Sequence, residues 1–292
     1  MARTSVKERA KMSGELKGFT HPLTPEGRAQ LVGDFPWYFS STQMVICYEA
    51  DPAEVRRMLP PPFEPSLTEP AECAVRFGDW LFVGESDRDM AARNPERAQY
   101  RECTLHIRCR LNGVEARRGA FCWVDKDFAL LAGLLMGVPK KLGAIHLTHS
   151  NTRLLELNRA IGKFGAGTEL GAFLESHGER LITGNIRLDR RVAPEKLKDL
   201  PPPFGMPLYT ILYFPPVLTG SVKPLAHQVV QMDEEAWLGE VWTAADASLV
   251  FQESALEEHT AIRPLKVTGA YYMELATRVA GMKLLHDYAA EG

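Results

Sequence analysis

Several features that would point to a function class are missing from this sequence. Its 292 residues carry a formal net charge of −3, which predicts no basic surface for nucleic acid or for anionic membranes. The longest apolar run is far shorter than the roughly 20 residues that span a bilayer. The N-terminus is charged and lacks the apolar segment of a secretory signal. We therefore expect a cytoplasmic protein that binds neither nucleic acid nor membranes.

Cysteines and common catalytic motifs are also scarce. The five cysteines are odd in number and include no Cys-x-x-Cys pair, which predicts buried thiols of a cytoplasmic protein. A P-loop, a Gly-x-Ser-x-Gly elbow and a His-Glu-x-x-His motif are all absent. His146 and His149 lie three residues apart on a predicted strand, where they would face opposite sides, so no metal site is expected there.

What the sequence does contain is a series of β-strand patterns. In the clearest one, the odd positions from Cys103 to Leu111 are apolar and the even positions from Glu102 to Arg110 are polar. Asn112-Gly113 then predicts a tight hairpin. Further strands are predicted over 43–48, 73–83, 120–124, 144–148, 181–188 and 208–214. The arginines of the hairpin are predicted to form a solvated face: Arg108, Arg110, Arg117 and Arg118.

Helices are predicted to be few. Asp51 as N-cap and Pro52 at the first helical position begin one, which must end at Leu59 because three prolines follow. From Tyr272 to Met282 the spacing allows a helix and the composition allows a strand. We predict a β-rich α+β fold, with an N-terminal arm over 1–34 and one domain over 35–292 built on a large curled sheet or barrel.

The segment Gly133-Leu-Leu-Met-Gly-Val-Pro-Lys-Lys-Leu-Gly143 places two lysines next to an apolar stretch. Pro139 restricts the local backbone and favours an extended start to the next strand. On an extended strand the side chains of Lys140 and Lys141 diverge, so one can enter an apolar interior. Burial disfavours the charged form of a lysine. We therefore expect a neutral amine, which a Schiff-base nucleophile requires.

At these residues the sequence resembles the acetoacetate decarboxylase superfamily. The resemblance includes the segment 139–143, Tyr48 and Asp51 before the first helix, and the stretches 75–77, 100–102, 240–243, 249–251 and 286–288. It spans about residues 35 to 290, with an insertion after Thr148. It implies a closed, cone-shaped β-barrel with a few flanking helices and a deep apolar pocket. It also implies a homo-oligomer and a small-molecule carbonyl substrate.

The resemblance also implies roles for individual residues. Lys140 matches the Schiff-base lysine of the family, Lys141 matches its cationic neighbour, and Glu102 matches an active-site glutamate, which we expect to shuttle protons. Acetoacetate decarboxylase is itself the standard example of an activated lysine. Met136 and Val138 are expected to line the pocket. Neither a metal nor an organic cofactor is expected, because the iminium ion is itself the electron sink.

Three positions depart from the family pattern. Ser41 falls where the decarboxylases carry an arginine, Gly78 falls at their second glutamate, and Leu134-Leu135 replaces an Arg-Glu pair. These departures predict a wider and less charged pocket that prefers a longer or less acidic substrate.

Trp123 and Tyr272 are expected as walls of that pocket, with Tyr272 as a substitute proton donor. The predicted function is a lysine-iminium lyase of decarboxylase type acting on a keto acid or related carbonyl compound. A Schiff-base aldolase or dehydratase acting on a larger carbonyl compound is the first alternative. A non-catalytic protein that binds an apolar ligand is the second.

Overall fold

The computed structural model describes residues 16–149, 165–199 and 205–291. Within them, twelve strands belong to one sheet. In chain order they are β1 (Trp37–Glu49), β2 (Glu64–Pro65), β3 (Glu72–Gly84), β4 (Gln99–Leu111), β5 (Val114–Val124), β6 (Lys140–Leu142), β7 (Ala144–Leu147), β8 (Glu169–Ser176), β9 (Glu179–Arg191), β10 (Leu208–Phe214), β11 (Ala226–Phe251) and β12 (Lys266–Asp287).

The sheet closes into a ring. Strand β10 is hydrogen-bonded to β5 on one side and to β11 on the other, which completes the circuit β10-β5-β4-β3-β1-β12-β11. The long β11 also extends the sheet beyond the ring, because its C-terminal half pairs with β9. Strand β9 pairs with β8, and β8 pairs with β7. This closed, β-rich architecture is the one that the family resemblance implied.

Three α-helices accompany the sheet in the described part of the chain: α1 (Pro52–Arg57), α2 (Met90–Arg93) and α3 (Asp127–Leu135). Helix α1 starts as predicted, because Asp51 Oδ1 accepts hydrogen bonds from the N–H groups of Ala53 at 2.8 Å and Glu54 at 3.3 Å. Between Tyr272 and Met282 the chain is strand throughout, which decides the ambiguity left by the sequence.

Strand alternation divides β4 between two environments. The apolar positions Cys103, Leu105 and Ile107 belong to the main hydrophobic core, with Ile46, Phe77 and Leu174 from neighbouring strands. Complete burial of such large apolar side chains stabilises the fold by about 1.5–3 kcal/mol each. The polar positions point to the opposite side of the strand, beside a second apolar cluster that contains Trp80, Tyr100 and Phe128.

The described part of the predicted arm, residues 16–34, is irregular apart from one bridge between Lys17 and Thr24. Phe19 packs edge-on against Phe35 and Trp37 near the start of β1. All five cysteines are buried free thiols, as predicted. Among the described residues no helix is long and apolar enough to cross a membrane. Residues 1–15 and most of the insertion after Thr148 lie outside the described residues.

Candidate active site

The two lysines stand at the start of β6, which runs parallel to β5 and places Lys140 beside Cys122 and Lys141 beside Trp123. The Lys140 side chain is 3% exposed and the Lys141 side chain 42% exposed. The two side chains therefore diverge, as strand alternation predicts. Lys140 is the one that enters the interior.

Lys140 ends against a buried carboxylate. Its Nζ lies 2.8 Å from Oε2 of Glu102, whose side chain is 6% exposed. The other carboxylate oxygen, Oε1, accepts hydrogen bonds from Arg76 Nη2 at 3.1 Å and from Thr104 Oγ1 at 2.8 Å. Lys140 and Glu102, both expected in the site, thus form a buried ion pair. Glu102 holds two cations through its two oxygens.

The ionisation of Glu102 reflects two opposing effects. Burial favours the neutral acid, but the positive charges of Lys140 and Arg76, together with the hydrogen bonds from Lys140 and Thr104, lower the pKa of Glu102 to about 2. The carboxylate is therefore charged at neutral pH, and its pKa would rise if one of its cationic partners were withdrawn.

The stem of Lys140 is held between an aromatic ring and a helix. Its Nζ lies 5.0 Å from the centre of the Tyr100 ring, a cation–π contact. On the other side the stem packs against Gly133 of α3, where an added Cβ would come within 3.0 Å of Cγ, Cδ and Cε of the lysine. The apolar segment before the lysines thus contributes a glycine that admits the side chain.

Lys141 has a separate partner on the other side of the sheet. Its Nζ forms an ion pair with Oε2 of Glu257, and it lies 5.1 Å from the centre of the Trp123 ring. Trp123 Nε1 donates a hydrogen bond of 3.3 Å to Glu257 Oε1. The positive charge of Lys141 is therefore neutralised locally, and the cation that shares a carboxylate with Lys140 is Arg76.

Lys140 lines a partly open cleft. Its walls include Met136 and Val138, as expected, and apolar side chains of β1, β11 and β12. Five charged side chains line it: Lys140, Arg76, Arg117, Glu102 and Glu234. Three of these are cationic and two anionic, and His106 lies among them. The cleft therefore carries several charges, although the departures from the family pattern predict fewer than in the decarboxylases.

Arg76 and Arg117 are the functional candidates that the sequence did not identify. Arg117 was placed on a solvated hairpin face, but it lines the cleft and is half-buried. Burial and the positive charge of Arg76 lower the pKa of Arg117 to about 10, so Arg117 remains cationic at neutral pH. Alternation did place polar side chains on one face of the hairpin. Ring closure, which a local pattern does not reveal, turns part of that face inward.

Two residues expected as pocket walls face elsewhere. Trp123 is fully buried in the main core, beside Lys141. Tyr272 packs against the same core and lines a different cleft, with Leu147 and His149. On β12 the wall of the Lys140 cleft is formed by Leu275, Thr277 and Val279. Strand alternation therefore sends Tyr272 to the opposite side, and burial raises its pKa to about 12.

The three departures from the family pattern also have structural outcomes. Ser41 is buried between the cleft residues Trp80 and Leu275, but its hydroxyl accepts a hydrogen bond of 2.6 Å from Gln43 and does not line the cleft. At Gly78, an added Cβ would overlap the indole of Trp80, so this ring occupies the space beside the glycine. Leu134, on α3, is 38% exposed.

Gly133→Ala is expected to reduce covalent capture of a keto acid by Lys140 at least tenfold, because the new methyl overlaps the lysine stem. Alanine favours a helix more than glycine does, so the helix itself should form. The measurement is the rate of borohydride-dependent mass addition. Gly119→Ala is the matched control, since no atom lies within 4 Å of a Cβ there and Gly119 lines the same cleft. Equal capture by the two variants would show that the fit at Gly133 is unimportant.

Comparison with known proteins gives a consistent result. The model of the acetoacetate decarboxylase (ADC) family matches residues 20–289. No curated protein sequence matches the chain significantly.

Solved structures with the same fold include the enduracididine biosynthesis enzyme MppR complexed with the condensation product of pyruvate and imidazole 4-carboxaldehyde. It is 26% identical, with a TM-score of 0.81 over 94% of this chain and 99% of that one. An acetoacetate decarboxylase-like enzyme from Sphingomonas wittichii RW1 is 24% identical, with a TM-score of 0.80 over 93% and 100%. Acetoacetate decarboxylase from Legionella pneumophila subsp. pneumophila str. Philadelphia 1 is 19% identical, with a TM-score of 0.72 over 95% and 99%.

Proposed function

Because this chain belongs to the acetoacetate decarboxylase family, we propose that it is a Schiff-base lyase in which Lys140 attacks the carbonyl group of a keto acid. The observation that carries the proposal is the contact between Lys140 and Glu102, both buried and both facing the same cleft. A buried lysine beside a buried carboxylate provides a nucleophile and a proton acceptor within hydrogen-bond reach of each other.

Substrate binding itself prepares the amine. Arg76 stabilises the charged form of Glu102. A substrate carboxylate that draws Arg76 toward itself weakens that stabilisation, so Glu102 becomes more basic and can accept a proton from the Lys140 ammonium. The neutral amine then adds to the carbonyl carbon. Glu102 returns its proton to the hydroxyl group of the adduct, water leaves, and an iminium ion remains beside a carboxylate that can again accept a proton.

Arg76 is the group that we propose to bind the carboxylate of a 2-oxo acid. It binds one oxygen of Glu102 while Lys140 binds the other, so a carbonyl carbon attached to Nζ would bring an adjacent carboxylate near the guanidinium. Guanidinium groups bind carboxylates well because their planar donors match both oxygens. The second arginine, Arg117, adds positive charge to the same cleft.

Among lyase reactions, condensation and dehydration fit this site better than decarboxylation. In an iminium ion made from a 2-oxo acid, loss of CO2 would leave the electron pair on the iminium carbon, which cannot accept it. Removal of a proton from the neighbouring carbon by Glu102 gives an enamine instead, and the enamine can attack a second carbonyl compound. MppR, bound to a condensation product of pyruvate and an aldehyde, supports this reaction class.

Decarboxylation of a 3-oxo acid is the second candidate, supported by the family itself. Here the electron pair left by CO2 flows into the iminium group, and the enamine is then protonated and hydrolysed from Lys140.

An assay of two substrate sets separates the two reactions. With pyruvate and an aldehyde such as imidazole 4-carboxaldehyde, we expect an unsaturated condensation product, detected by absorbance and mass. With acetoacetate we expect trapping at Lys140 but little release of CO2, since Ser41 stands where the decarboxylases carry an arginine. Acetoacetate turnover of about ten per second, typical of a good enzyme, would instead establish decarboxylation as the function.

A further inference from the structure

Three side chains of the cleft carry buried polar atoms that have no hydrogen-bond partner among the described residues: both ring nitrogens of His106, Nε1 of Trp80 and Nε of Arg76. Buried polar groups in folded proteins are nearly always paired, because leaving one unpaired is costly. Four such atoms belong to side chains that line this one cleft, so a molecule bound there can complete their hydrogen bonds.

His106 is the most informative of the three. It is only 2% exposed, and burial and then the charges of Arg76 and Arg117 lower its pKa well below the usual range. The imidazole is therefore neutral, with one nitrogen that donates and one that accepts. Its cross-strand neighbour is Gly119, and no atom lies within 4 Å of the position of a Cβ there. Open space thus adjoins a partnerless ring.

The position of His106 along β4 defines how far a ligand must extend. Glu102, Thr104 and His106 share one face of β4. Thr104 pairs with Cys122 on β5, and Cys122 pairs with Lys140 on β6, so Lys140 lies across the sheet from Thr104. Lys140 leans toward Glu102, away from His106. The Cα of His106 lies roughly 7 Å beyond that of Thr104 at the usual rise of a strand. A three-carbon acid bound to Lys140 near Glu102 does not reach the imidazole, whereas a longer one does.

We propose that His106 is a specificity-determining residue that binds a hydroxyl group at the far end of a substrate longer than pyruvate. A hydroxyl can donate or accept, so it can pair with one ring nitrogen of a neutral imidazole in either tautomer. The formal charges of the side chains that line the cleft sum to +1, and one substrate carboxylate neutralises this charge. The far end of the substrate therefore needs no second charged group. The inference rests on the proposed function only in taking Lys140 as the reacting end.

The test uses acids without a ketone, so it does not depend on imine formation. Calorimetry compares ω-hydroxy carboxylic acids of four to eight carbons with the unsubstituted acids of the same length. For one or two lengths we expect the hydroxy acid to bind about tenfold more tightly. His106→Phe should remove this preference, His106→Gln should keep part of it, and Gly119→Val should remove it by filling the open space.

A preference below twofold at every length, or one that survives in His106→Phe, overturns the proposal. If His106→Phe does not fold, the comparison of Gly119→Val with wild type decides. Borohydride trapping of the wild type with pyruvate runs in parallel. If the hydroxy acids bind more tightly but no keto acid is trapped, the binding role of His106 stands and the Schiff-base function is refuted. If a keto acid is trapped but the hydroxy acids bind no more tightly, only the role of His106 is refuted.

Discussion

Lys140→Ala is expected to reduce turnover at least roughly a thousandfold, since loss of a covalent nucleophile removes the reaction path itself. Lys141→Ala should retain most of the activity, because Lys141 pairs with Glu257 on the other side of the sheet. The measurement is steady-state formation of the condensation product. Similar losses in both variants would contradict the assignment of separate roles to the two lysines.

Lys140→Arg is the control for charge. An arginine can still pair with Glu102, but its guanidinium stays protonated and cannot act as the nucleophile. We expect it to be as inactive as Lys140→Ala, with near-ultraviolet circular dichroism close to that of the wild type. Activity in Lys140→Arg would mean that the positive charge, and not the amine, is what the site uses.

Glu102→Gln is expected to slow turnover by roughly a hundredfold or more, the usual contribution of a general acid–base group. Glutamine keeps the shape and can still accept the hydrogen bond from Thr104, but it cannot take a proton from Lys140 or from the substrate. Glu257→Gln is the matched control, because it removes the carboxylate that pairs with Lys141. Full activity in Glu102→Gln, or equal losses in both variants, would contradict proton transfer by Glu102.

The pH dependence of stability gives an independent check on Glu102. Its pKa in the folded protein is about 2, below the ordinary value, so its contribution is complete above the unfolded pKa and is lost as pH falls toward 2. The difference in unfolding free energy between wild type and Glu102→Gln should therefore shrink as pH is lowered from 5 to 3. Chemical denaturation at several pH values measures it. A constant difference would mean that Glu102 is not stabilised by its cations.

Local sequence patterns predicted the parts of the site that depend on alternation along one strand. The period of two on β4 placed Glu102 opposite the core residues, and the same alternation on β6 separated Lys140 from Lys141. The proline and asparagine–glycine signals correctly marked where elements end, because they act through the local backbone.

The errors arose where distant strands meet. The register of β12 against β1 and β11 determines which of its faces lines the cleft. Tyr272 lies on the other face and is therefore not part of the site. Arg117 looked solvated because nothing in the hairpin itself signals that β10 pairs beside it and closes the ring. Gly133 carried a signal that could have been used, since a glycine inside an apolar helix lowers helix propensity and often has a packing reason.

Borohydride reduction in the presence of pyruvate tests most directly whether Lys140 forms an imine with a keto acid. Reduction should fix one pyruvate-derived group per chain, and peptide mass mapping should place it on Lys140 in wild type and in Lys141→Ala. Label on Lys141 alone, or no label with pyruvate or acetoacetate, would contradict the account.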